Sequence, residues 1–383
     1  MNEGKKFEVL NSWRGICAMM IVLYHVPWAF FFSDSAAIRY SWLFVDFFFV
    51  LSGFVTTHRY GTEIANLDSA FRFIKRRFYR LYPLHFCTLI AALGFILLFD
   101  TARMIGAMKF PELIRATDLF AFSFKQIGSH LLLLQGFWGI GFNIPSWAVS
   151  VEFWTYIVFA ICRLLLGPHL LLSQLFLTFA CLVLLYALAN EEWVWYANMV
   201  RCLAGFSLGS ATYLLLSKFK SYQVSAMFMT ALEGIVIAEM MVFLWWASRF
   251  GGGSAISETD TIHQLQWLSP IVFAQAIAIF SFESGTISGL LNRPILNRAG
   301  AYSYSTYMVQ ALILNTVFVL LIGLMKLDVL NVFITKTAGT AILLLVIGSF
   351  SYVSRLTYDK IERPGQSVLP DFVARLARPN LRY

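Results

Sequence analysis

The sequence predicts an all-α, polytopic membrane helix bundle of about ten transmembrane helices, and three observations point to it. Of 383 residues, 59% are hydrophobic and only 13% charged, against about 25% charged in a soluble domain. Mean hydropathy is +0.70, too high for a surface that faces water on every side. The apolar residues gather near 13–33, 42–58, 82–99, 147–166, 169–189, 195–216, 225–247, 267–283, 301–324 and 329–353, each approaching the roughly 20 residues that cross ~30 Å of hydrocarbon. The same composition, with 37 Phe and 11 Trp, excludes a disordered chain.

Taken in order, the first stretch carries Arg14 and His25 inside an apolar run and has no small-residue cleavage site, so it reads as a span and not as a signal peptide. With a cytoplasmic N-terminus, most of the 29 Lys and Arg fall on inside segments, which predicts both termini in the cytoplasm and accounts for the net charge of +8 without a nucleic-acid partner. The outside connection 100–146 holds an apolar run, His130 to Phe142, too short to span and expected to lie in the interface or re-enter the protein. The stretch Gly251 to Asp260 reads as a polar outside loop, and the basic tail 356–383 as a cytoplasmic surface segment. Cys17, Cys87, Cys162, Cys181 and Cys202 show no CxxC spacing and read as buried hydrophobes, with neither disulfide nor metal site. The whole, 1–383, forms a single transmembrane domain with its helical core at about 12–355.

Ionisable residues inside spans are costly and must face a cavity or a partner. Arg14 and His25 are 11 positions apart, which places them on one helix face with a rise of ~16 Å. That spacing puts Arg14 near the cytoplasmic surface and His25 near mid-membrane. His25 reads either as a neutral imidazole bonded between helices or as a general base. In Lys75-Arg76-Arg77-Phe78-Tyr79-Arg80 the charges suit an ordinary cytoplasmic flank, yet Arg77 and Arg80 at i, i+3 share a face on which two guanidinium forks can hold phosphate. Glu152, about one and a half turns inside the helix that Pro145 would start, is deeper than a capping acid needs to be. It reads as a buried structural carboxylate or as a group that orients His25 or a sugar hydroxyl. Asp46 reads as structural or helix-capping, Glu233 and Glu239 have no assignable role, and Ser52-Gly53 suits close helix approach.

Taken in order, these residues resemble the acyltransferase-3 family of bacterial integral-membrane O-acyltransferases. The resemblance rests on Ser12-Trp13-Arg14-Gly15 with Tyr24-His25, Phe48-Phe49-Val50-Leu51-Ser52-Gly53-Phe54, Arg77 and Arg80 before Tyr82-Pro83, Trp147-Ala148-Val149-Ser150-Val151-Glu152, Ser303-Tyr304-Ser305-Thr306-Tyr307 and Ile361-Glu362-Arg363-Pro364. It departs from the family pattern at Ala148, where a Ser is common, and at Gln310, where a His is common.

The resemblance implies transfer of an acyl group, usually acetyl, from cytoplasmic acetyl-CoA or another acyl-CoA to a hydroxyl of a cell-surface or exported carbohydrate or glycolipid, in the bacterial inner membrane. On that reading Arg14, Arg76, Arg77 and Arg80 hold the coenzyme A phosphates, and His25 deprotonates the acceptor. Glu152 orients the imidazole or the acceptor, while Ser150, Asp46, Trp147 and Tyr307 support substrate. A polar seam from the cationic mouth to His25 is the expected geometry, and an acyl-enzyme on Ser150 is the alternative route. A carrier of anionic solute and a non-catalytic component of a glycan assembly complex are the rival functions.

Overall fold

The computed structural model describes residues 6–104, 124–137, 141–188, 196–219, 225–250, 265–325 and 335–367, and among them every regular element is helical. The helices are α1 (Glu8–Tyr24), α2 (Ala36–Arg39), α3 (Phe44–Tyr60), α4 (Leu67–Met104), α5 (Phe124–Leu131), α6 (Ser146–Leu166), α7 (Leu170–Ala187), α8 (Ala197–Leu216), α9 (Ala226–Phe250), α10 (Ser269–Phe280), α11 (Thr286–Leu291), α12 (Pro294–Ala301), α13 (Ser303–Met325) and α14 (Lys336–Thr357). Seven helical segments among the described residues are long and apolar enough to cross a membrane, so the chain is a multi-pass integral membrane protein. One of the seven is the 42-residue stretch Ser146–Ala187, which holds both α6 and α7. At 17 and 12 residues, α1 and α10 are shorter. The expected loop 251–260 and the tail beyond 367 lie outside the described residues.

Two boundaries differ from the sequence expectation for identifiable reasons. The first helix stops at Tyr24, with His25 as its C-cap, and does not continue to 33. Pro27 has no amide proton to extend the ladder. Conversely, α4 begins at Leu67 rather than 82 and runs through Pro83 for 38 residues. The basic stretch before Tyr82 is therefore the first half of a helix that enters the bundle.

The centre of the bundle is the pair α3 and α8. A Cβ at Gly53 would stand 1.9 Å from the Phe206 carbonyl oxygen, and one at Gly209 would stand 1.8 Å from that of Val50. Only glycine permits this backbone-to-backbone approach, the expected use of Ser52-Gly53. The helices that flank this pair are fixed by carboxylates from distant segments. Glu283 accepts the Val9 amide at 3.0 Å at the start of α1. Glu233, which the sequence left without a role, accepts the amides of Gly285, Ile287 and Ser288 at 3.0–3.2 Å at the start of α11, together with the Ser288 hydroxyl. It is a helix cap supplied in trans.

The connection before α6 packs into the protein where it is described. His130, Leu133, Gln135 and Asn143 are all buried, and Leu133 takes a positive φ of 55°. Ser150 Oγ donates to the Leu133 carbonyl at 2.5 Å and accepts the Gly136 amide at 3.1 Å, while Gln135 Nε2 donates to the Ser146 carbonyl at 2.9 Å. Irregular backbone at membrane depth is thereby satisfied by protein. The described chain after Arg355, expected at the surface, turns one side inward: Glu362 is buried and accepts the Ser305 hydroxyl at 2.8 Å, while Asp359, Lys360 and Arg363 are exposed.

Candidate active site

A cavity of about 870 Å³, counting its open part, lies between α1, α3, α4, α6 and α13. Its lining on α3 is Val45, Phe48, Phe49, Leu51, Ser52, Val55 and Thr56, and all but Leu51 fall at i, i+3, i+4, i+7, i+10 and i+11, a stripe that follows one face for ~16 Å. On α6 it is Ala148, Val149, Glu152 and Tyr156, and on α13 it is Ser303, Tyr304 and Tyr307. Arg14, Arg77, Arg80 and Leu81 complete the wall. The lining changes character along its length. Along α3 the wall runs from Thr56, to which Arg77 donates, through Ser52 at Glu152, to Phe49, Phe48 and Val45.

The middle is a compact oxygen cluster. Glu152 Oε1 accepts from Ser52 Oγ and from Tyr156 OH, each at 2.6 Å, and those two hydroxyl oxygens are 2.8 Å apart. Two donors on one carboxylate oxygen hold the side chain in place and leave Oε2 with no protein donor among the described residues.

The arginine pair divides into two roles. Arg77 is buried, donates from Nη2 to Thr56 Oγ1 at 2.9 Å, and has its guanidinium 4.8 Å from the ring centroids of Tyr60 and Tyr156 and 5.5 Å from that of Phe73. Cation–π contact with three rings fixes this charge inside the protein. Arg80 makes no hydrogen bond or ion pair to any described residue, and Arg14 makes only a 3.5 Å contact with Asn11 Oδ1. The lining thus holds three guanidinium groups against one carboxylate, which favours an anionic ligand. Glu362 lies within electrostatic reach of Arg14 and Arg80.

The other expected residues fall elsewhere. Arg76 is exposed and pairs with Glu63 at 3.3 Å. Ser150 is buried against the re-entrant segment and does not line the cavity. Asp46 is wholly buried in an ion pair with Arg201, whose Nε donates at 2.5 Å, and also accepts the Ser269 hydroxyl. Trp147 stands 5.6 Å from the Arg201 guanidinium and packs edge-on against Phe49. Tyr307 lines the cavity.

His25 is half-buried and does not line the cavity. His25 sits beside an apolar cluster of Val22, Val309, Leu314, Val346 and Phe350, against which its neighbour Val26 packs. Its Nδ1 is 2.8 Å from the Ile21 carbonyl oxygen. Because a carbonyl only accepts, Nδ1 carries the proton and Nε2 holds the lone pair of the neutral ring.

Sequence reasoning missed Arg201, Tyr156 and Ser52 as partners of the residues it selected. Tyr156 was findable, because it stands at i+4 from Glu152 on the same face.

A family profile described as Acyltransferase domain matches residues 7–353. Protein 2 in the picA locus of Rhizobium radiobacter is 42% identical over 98 residues, covering 25% of this chain and 49% of that protein. Acyltransferase MdmB of Streptomyces mycarofaciens is 29% identical over 162 residues, covering 39% of this chain and 37% of that protein. The chain therefore spans about half the length of the first of these relatives and less of the second. No solved structure matches it. The matched residues contain every wall of the cavity and the helices that position it, and on that match the chain belongs to the acyltransferase family.

Proposed function

We propose that the chain is a membrane O-acyltransferase. It moves an acyl group, acetyl by resemblance, from a cytoplasmic acyl-CoA to a hydroxyl of a cell-surface or exported carbohydrate. In this reading α1, α3, α4, α6, α7, α8, α9, α10, α13 and α14 are ten spans of a protein of the bacterial inner membrane, with both termini in the cytoplasm. The observation that carries the proposal is the graded lining: cations at one end, a fixed carboxylate in the middle, apolar walls at the other. An acyl-CoA has the same order along its length, from phosphates to thioester to acyl group.

Arg14 and Arg80 have donors to spare and would meet the phosphates, with Arg77 adding charge from behind. The thioester would then lie near Glu152. As the acceptor oxygen bonds to the acyl carbon, the carbon–sulfur bond breaks. The hydroxyl proton passes to a base and ends on the coenzyme A thiol. His25 suits that base by its tautomer and would meet an acceptor arriving from the outer side. A second reading makes Glu152 the base, and the observation that favours it is that Glu152 lines the cavity while His25 does not.

The test is transfer of radiolabelled acetyl from acetyl-CoA to glycan in membranes carrying the wild type, His25→Ala or Glu152→Gln. Ester-linked label that disappears in both variants is the result expected for the first reading. Full transfer by His25→Ala with none by Glu152→Gln would assign the base to Glu152. Label that crosses the membrane without forming an ester would mean a carrier, and would overturn both readings.

A further inference from the structure

We infer that the end of the cavity formed by Val45, Phe48, Phe49, Ala148 and Val149 is an acyl-chain pocket that accepts donors longer than acetyl, and that Phe48 and Ala148 set its length. The inference rests on the acyl-CoA reading and deepens it. From Ser52, at the level of the carboxylate, to Val45 the α3 stripe continues for two turns, ~10 Å. A methyl group needs far less. No lining residue on this part of α3 or α6 carries a polar side chain. The end is backed by Trp147, which packs edge-on against Phe49 at a centroid distance of 6.0 Å.

Ala148 matters by its size and its chemistry. It is buried and lines the cavity. A methyl there keeps the wall apolar, and its small volume leaves the space that a larger side chain would fill. Continuity with the cationic end fixes the occupant: a chain entering this pocket belongs to a molecule whose other end is anionic, so a lipid tail with a neutral head or a free alkane fits the site less well.

The experiment is equilibrium binding of coenzyme A, acetyl-, propionyl-, butyryl- and hexanoyl-CoA to the full chain in detergent. The proteins are the wild type, Ala148→Phe and Phe48→Ala. Each methylene buried should tighten binding by about three- to fourfold in the wild type. Ala148→Phe should flatten that gain beyond acetyl, and Phe48→Ala should carry it to longer chains. The second variant keeps the test alive should the first fail to fold. Coenzyme A that binds with no dependence on acyl length in the wild type overturns the pocket and leaves the acyl-CoA reading standing. The same gain in all three proteins also overturns it. No binding by any of these probes overturns the acyl-CoA reading itself, and the pocket with it.

Discussion

Two centres in this bundle bury arginine, and they satisfy it in opposite ways. At Asp46 and Arg201, Nε donates to Oδ1 at 2.5 Å and Nη2 to Oδ2 at 3.2 Å. The Ser269 hydroxyl fills the carboxylate, and Trp42 lies 5.2 Å from the guanidinium. At the cavity, Arg80 has no hydrogen-bond or ion-pair partner among the described residues, and Glu152 is held by hydroxyls and by no guanidinium. Removing a charge from water without a partner costs several kcal/mol. A centre that completes its own pairing is therefore built for stability. One that leaves its cations facing a cavity suits an anion such as the proposed acyl donor. Arg77 sits between the two cases, facing the cavity while spending its charge on three aromatic rings.

The sharpest way to break this contrast is Arg201→Ala. It strands a wholly buried carboxylate, and a loss of about 3–5 kcal/mol is expected, read as a fall in thermal unfolding temperature in detergent. The corresponding change at the other centre, Arg80→Gln, should do the reverse. Unfolding should hold or improve, while coenzyme A affinity drops about 10- to 100-fold, the worth of one charged hydrogen bond. A smaller effect is expected for Tyr156→Phe, which removes one of two donors on Glu152 and should cost about 1 kcal/mol of stability together with part of the transfer rate. Smallest is Lys336→Gln. Lys336 bonds the exposed Asp34 at 2.5 Å and holds its carboxyl below the usual carboxylate range. That contribution is present at neutral pH and fades as pH falls through the lowered value. Because the pair stands in water, no resolvable shift in unfolding temperature is expected at neutral pH.

Helical class and most helix positions were legible because apolar length is a property of consecutive residues. The limits of that signal were equally local. Pro27 is visible in the sequence and ends α1 at the residue where the apolar run alone continues. The charges of the 67–81 stretch mask a helix that α13 and the chain after Thr357 cover, with Tyr304 OH donating to the Leu81 carbonyl at 2.7 Å. Within the site, spacing put Arg77 and Arg80 on one face but not in one role. The rings that box Arg77 come from α3, α4 and α6, and no periodicity within a single helix reports that meeting. Asp46 likewise finds Arg201 across 155 positions. The ~16 Å from Arg14 to His25 follows from helical rise, whereas the apolar cluster beside His25 is made by α1, α13 and α14 together.

The central claim is that Arg14 and Arg80 await an anionic acyl donor, and coenzyme A binding to the Arg14→Gln/Arg80→Gln double variant beside the wild type tests it most directly. The account expects saturable binding by the wild type and at least a hundredfold weaker binding by the double variant, with the unfolding temperature unchanged or raised. Equal affinity in the two proteins, or a double variant that unfolds as readily as Arg201→Ala, would contradict it.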